Sequence, residues 1–116
     1  MHKRVTFRDM NHSEPMETHV HKQLEKVTHF LLNERTPIYI DMVLTASRLH
    51  AHPRAELRIK TPHFDLVTHY EKEGIDLYEA IDHTIDKMYK LLHEEKKRFD
   101  EKMRARGRHE DIKKNK

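Results

Sequence analysis

Residues 76–98, DLYEAIDHTIDKMYKLLHEEKKR, decide how this chain folds. Leu77, Ile81, Ile85, Met88 and Leu92 recur at helical spacing, with Thr84 and Leu91 at the margins of the stripe, so the segment is an amphipathic helix. Asp76 with Glu79 three residues on has the spacing of a capping box. Acids open the segment and bases close it, which suits the helix dipole. Such a helix must lay its stripe on another element, and it then turns a row of lysines away from that element.

Upstream, the pattern supplies the partner surface. In HKRVTFRDM (2–10), Val5 and Phe7 alternate with Arg4, Thr6 and Arg8, a half-buried strand. Ser13 is a suitable N-cap, and Glu14 and Pro15 suit the first turn that follows. Met16, Val20, Leu24, Val27 and Leu31 then predict a helix over about 14–31. IYIDMVLTAS (38–47) and RAELRIK (54–60) alternate as strands. FDLVTHY (64–70) reads as a fourth strand whose inward face the alternation leaves open, and Gly74 ends it. The order is β-α-β-β-β-α. The single crossover makes the first two strands parallel, and short turns make the later pairs antiparallel. The economical architecture is α+β and two-layered, a four-stranded sheet with both helices on one face.

The 116 residues are enough for one domain, here 1–98. After Phe99 the apolar pattern stops, and 99–116 reads as a charged basic tail, frayed and then disordered. The net charge of +3 is unevenly placed: residues 94–116 hold ten Lys/Arg against six Asp/Glu, whereas 1–93 hold thirteen against fourteen. A site for a polyanion must therefore come from local clustering of charge. Twelve histidines add charge only under mildly acidic conditions.

Other chemistry is poorly supplied. There is no cysteine, which removes disulfides, thiolate metal sites and a cysteine nucleophile. The only serines are Ser13, read as a cap, and Ser47 at a strand end. Two glycines, Gly74 and Gly107, make no phosphate-cradling loop. His50 and His52, or His63 and His69, lack the additional ligands of a structural zinc site. Tyr78 and Tyr89 read as packing at the stripe margins. The expectation is therefore no catalytic residue, no metal and no cofactor. No apolar run reaches the length of a membrane span, the N-terminus lacks the core of a signal peptide, and a cytosolic protein is the simplest reading.

Positive charge clusters on the helix backs. At about 100° per residue, Lys22, Lys26 and His29 fall opposite the first stripe. Lys87, Lys90 and Lys97 fall opposite the second, close to His83. Two helices on one sheet face would join these backs into a basic shelf. The plainer reading is a solvated surface in which Asp86 pairs with Lys90, and Lys90 with Glu94.

The opening stretch resembles the signature of the ribosome hibernation promoting factor and ribosome-associated inhibitor family, in its short form. DLYEAIDHTIDKM carries the likeness. HVHKQLEKVTHF (19–30), the cap at Ser13 and the element order extend it over about residues 3–98. The resemblance implies a cytoplasmic stress protein, not an enzyme, that binds the small ribosomal subunit. It would occupy the channel used by mRNA and tRNAs, block translation and preserve idle ribosomes, its basic helix backs meeting rRNA phosphates. Lys26, Lys87 and Lys90 match the family's basic positions. Leu91, Glu94, Gln23 and His29 depart from its pattern, and Lys96, Lys97 and Arg98 follow one turn onward. The expected rRNA-binding set is thus Lys22, Lys26, His29, Lys87, Lys90, Lys96, Lys97 and Arg98. The partner is the small subunit, with no membrane, no small-molecule substrate and no dedicated dimerisation domain. The alternatives are a free-standing module for structured RNA and a protein-interaction or oligomerisation domain.

Overall fold

The computed structural model describes the backbone of residues 1–46 and 52–114 and the side chains of 1–46 and 52–106. Ser47, His50, Gly107 and most of the turn before the third strand, all used in the sequence reading, lie outside the described side chains. The elements run β1 (His2–Arg8), α1 (Glu14–Gln23), α2 (Glu25–Phe30), a 3-10 turn (Leu31–Asn33), β2 (Tyr39–Ala46), β3 (Pro53–Lys60), β4 (Asp65–Glu71) and α3 (Leu77–Lys114). The sheet has the order β1-β2-β3-β4. β1 and β2 are parallel, and the later pairs are antiparallel, as one crossover and two hairpins require.

Alternation builds the layer. Ile40, Met42 and Leu44 on β2 and Ala55, Leu57 and Ile59 on β3 are all buried, and register places them opposite one another. They share one core with Val20, Leu24, Val27 and Leu31 and with Leu77, Ala80, Ile81, Ile85, Met88 and Leu92. Each such large side chain removed from water contributes about 1.5–3 kcal/mol. Both helical layers therefore cover the same sheet face, and the other face is open.

The first helix is divided at Leu24 into α1 and α2, with a 3-10 turn at its end, where a single run over 14–31 was expected. Leu24 has ψ −10°, yet the hydrogen bonds Leu24 N–H to Val20 O (2.9 Å) and Thr28 N–H to Leu24 O (2.8 Å) carry the helix through it. Within α2, Thr28 Oγ1 also donates to the Glu25 carbonyl at 2.9 Å, a local side-chain-to-backbone bond typical of threonine in helices. Both caps read from sequence form: Ser13 Oγ accepts from Met16 N–H at 3.3 Å, and Asp76 Oδ1 from Glu79 N–H at 2.9 Å. Gly74 sits at φ 83° in the turn between β4 and α3, a conformation that costs other L-residues a Cβ clash.

β4 turns Leu66, Thr68 and Tyr70 partly inward, as Phe64 does just before it, and exposes Asp65, Val67, His69 and Glu71. Alternation left this open because a threonine lies inside and a valine outside. Thr84, placed at a margin by periodicity, is 0% exposed. Its hydroxyl lies 2.9 Å from that of Thr68, which also reaches the Thr84 carbonyl at 3.0 Å.

α3 is longer than its apolar pattern predicts, continuing beyond Phe99 to Lys114. Residues 100–106, DEKMRAR, are mostly good helix formers, with Asp100 four residues before Arg104. At 1.5 Å per residue the helix is about 57 Å long and overhangs the sheet, in a molecule of 66 × 26 × 18 Å.

Candidate rRNA interface

α1–α2 and α3 run parallel, because their contacts advance together: His19 meets Tyr78 and Asp82, Lys26 meets Asp86, and Phe30 meets Tyr89 and His93. The seam between the helices is polar at one end and aromatic at the other. Asp82 Oδ1 lies 2.8 Å from His19 Nε2 and accepts from Gln23 Nε2 at 2.9 Å. Asp86 accepts from Lys26 Nζ, whose ammonium also lies 5.2 Å from the Tyr89 ring centroid. Gln23, Lys26, Asp82, Ile85 and Asp86 line a cleft of about 260 Å³. Further along, Phe30 packs on His93 at 4.6 Å, and Lys96 Nζ sits 5.4 Å over Phe30.

The eight basic positions expected to bind rRNA thus fall into four situations. Lys22 and His29 on α1–α2 and Lys90 and Lys97 on α3 are exposed and make no hydrogen bond or ion pair with a described residue. Lys26 and Lys96 are drawn toward the seam. Arg98 bonds Glu95 one turn before it at 3.0 Å, and Lys87 turns to the far side of α3. There its Nζ donates to the His69 carbonyl at 3.2 Å and lies 5.0 Å over Tyr70, beside His83 stacked on the same ring at 4.3 Å. Asp86 does not pair with Lys90, because Lys26 reaches it across the helix–helix gap.

Asp82 was missed by sequence reasoning, and Asp86 was given to Lys90 on its own helix, not to the helix opposite. Their signal was present: two carboxylates one helical turn apart, on the flank of the stripe that faces a second helix. They make the shelf discontinuous, two basic banks with an acidic seam between them. Phosphate is attracted to the exposed ammonium groups and repelled by the seam. Tyr78 and Tyr89 are half-buried in the seam, the marginal packing expected of them.

The groups whose pKa is shifted lie elsewhere. A bidentate ion pair with Arg58 (2.9 and 2.5 Å) holds the Asp65 carboxyl below its usual range and raises Arg58, on the open sheet face. A hydrogen bond from His12 lowers Glu17, with His21 adding to it. Among the described residues, no three His, Cys, Asp or Glu side chains are grouped to hold a metal, and no helix is long and apolar enough to cross a membrane.

The family model described as sigma 54 modulation protein / S30EA ribosomal protein matches residues 4–100. No curated protein matches the sequence. Among solved structures, the N-terminal domain of Protein Y from Thermus thermophilus is similar with a TM-score of 0.63 and 20% identity, over 79% of this chain and 96% of that one. A ribosomal subunit interface protein from Coxiella burnetii is similar with a TM-score of 0.65 and 17% identity, over 83% of this chain and 98% of that one. At these identities the structures establish the shared fold.

Proposed function

We propose that this chain, which belongs to the sigma 54 modulation protein / S30EA ribosomal protein family, is a translation inhibitor that docks its helical face on the rRNA of the small ribosomal subunit. It occupies the channel used by mRNA and tRNAs and so preserves idle ribosomes under stress. It works in the cytoplasm, by occupancy and without catalysis. The names of the two similar structures, a Protein Y domain and a ribosomal subunit interface protein, support the ribosome as partner. The observation that carries the reading to particular residues is the set of unpaired cations, Lys22, Lys90 and Lys97, exposed on two parallel helices. Phosphate contacts need such groups and little base-specific chemistry. The folded unit 1–98 supplies this face, and the basic segment 99–116 adds long-range attraction to a polyanion.

The test is equilibrium binding to purified small subunits at several salt concentrations. Replacing Lys22, Lys90 and Lys97 together with Ala leaves the melting temperature unchanged, weakens binding, and makes the salt slope shallower by up to about 2–3 units. Equal affinity and slope in the triple variant would remove these residues from the interface. Tighter binding to free double-stranded RNA than to subunits would favour the structured-RNA module instead.

A further inference from the structure

Where α3 overhangs the sheet, its buried stripe continues but is only partly covered. Phe99 and Met103 lie on the helical face that Ile81 and Ile85 use in the core, yet they are 42% and 47% exposed. The overhang, the β3–β4 turn and the loop after the 3-10 turn enclose an open notch of about 1090 Å³. Phe30, Phe64, Phe99 and Met103 give it apolar and aromatic walls, and His63 stands 5.3 Å from the Phe99 ring.

We propose that this notch receives one unpaired base of the RNA bound by the helical face, stacked on Phe99. The inference rests on the function proposed above and adds a second kind of contact to it. Exposed aromatic rings are the platforms on which proteins stack splayed bases. Charge selects the base over the phosphate. Arg35, Lys96, Arg98 and Lys102 line the notch against Glu34, Glu95, Asp100 and Glu101, so its lining is neutral overall and suits an uncharged ring. Phosphates on either side would meet Lys96 and Lys102, which line the same notch one turn before and after Phe99. Carboxylates accept hydrogen bonds from exocyclic amino groups, as in recognition of cytosine N4, so the site favours amino-bearing bases over uracil.

The test compares wild type with Phe99→Ala, Phe99→Trp and Phe99→Leu in binding to small subunits, combined with dimethyl sulfate probing of the rRNA. Phe99 lies beyond the sheet, and equal melting temperatures verify that each variant folds. Phe99→Ala is expected to bind about 5–100-fold more weakly with an unchanged salt slope, because no phosphate contact is lost. Phe99→Trp restores the affinity and Phe99→Leu does not. One unpaired adenine or cytosine, protected by wild type, becomes reactive with Phe99→Ala. Full affinity in Phe99→Ala or Phe99→Leu, or the absence of such a nucleotide, overturns the inference while leaving the proposed function standing. A wild type that binds no subunit overturns both. Concentration-dependent dimerisation abolished by Phe99→Ala would assign the notch to a second copy of the chain and overturn it as well.

Discussion

At the scale of single residues, the side chains that sequence reading placed least well are polar ones in apolar surroundings. Thr84 is the example. Periodicity put it at a margin because a hydroxyl counts as polar, yet it is buried and its hydroxyl faces that of Thr68 on β4. Neither partner predicts the other in isolation, since they meet only after the sheet and helix have docked. The pair behaves as a unit. Thr68→Val removes the donor to the Thr84 carbonyl and leaves the Thr84 hydroxyl buried without its partner, at a cost of about 1–3 kcal/mol. Thr68→Val with Thr84→Val costs less than the sum of the two single changes, because no hydroxyl is then stranded. Urea unfolding of the four proteins measures this, and strict additivity would show that the hydroxyls do not interact. Caps, by contrast, were legible at this scale. Ser13 and Asp76 act on N–H groups three residues away, and so short a range is written in the local sequence.

At the scale of elements, helix and strand types followed from periods of 3.6 and 2, and only their ends and joints moved. The first helix is divided at Leu24, and α3 runs on past its stripe. The candidate site was legible as basic helix backs, but their mutual arrangement was not, because a helical wheel carries no information about the neighbouring helix. Lys26 shows the consequence. It matches a basic position of the family, yet its ammonium is engaged by Asp86 across the seam. Phosphate must compete with that carboxylate for it. Asp86→Asn therefore strengthens binding to small subunits, by freeing Lys26 and by removing a charge that repels phosphate. The stability lost with this ion pair is about 0–1 kcal/mol, since both side chains are about half-exposed. Lys26→Ala is expected to weaken binding less than Lys90→Ala. Weaker binding by Asp86→Asn at unchanged stability would mean that the carboxylate orients Lys26 toward RNA and does not withhold it.

At the scale of the whole molecule, the fold has two unlike faces. The helical face carries the exposed cations of the proposed interface. The open face of the sheet carries Arg4 and Arg8 on β1, Arg54 and Arg58 on β3, and acids across the strands from them, such as Asp41 opposite Arg4 and Arg58. Arg58 is already committed to Asp65. Net charge cannot distinguish the two faces, and a polyanion at long range responds chiefly to net charge. Contact can distinguish them. Lys90→Glu with Lys97→Glu changes the charge of the helical face by the same amount that Arg4→Glu with Arg8→Glu changes that of the open face. Long-range attraction is thus weakened about equally in both. Only the first pair also loses phosphate contacts and places carboxylates against rRNA. It is expected to lower affinity for small subunits far more, with a shallower salt slope, whereas the second pair shows a modest loss confined to low salt, where screening is weakest. Equal losses from the two pairs would mean that attraction is diffuse and that the helical face does not dock.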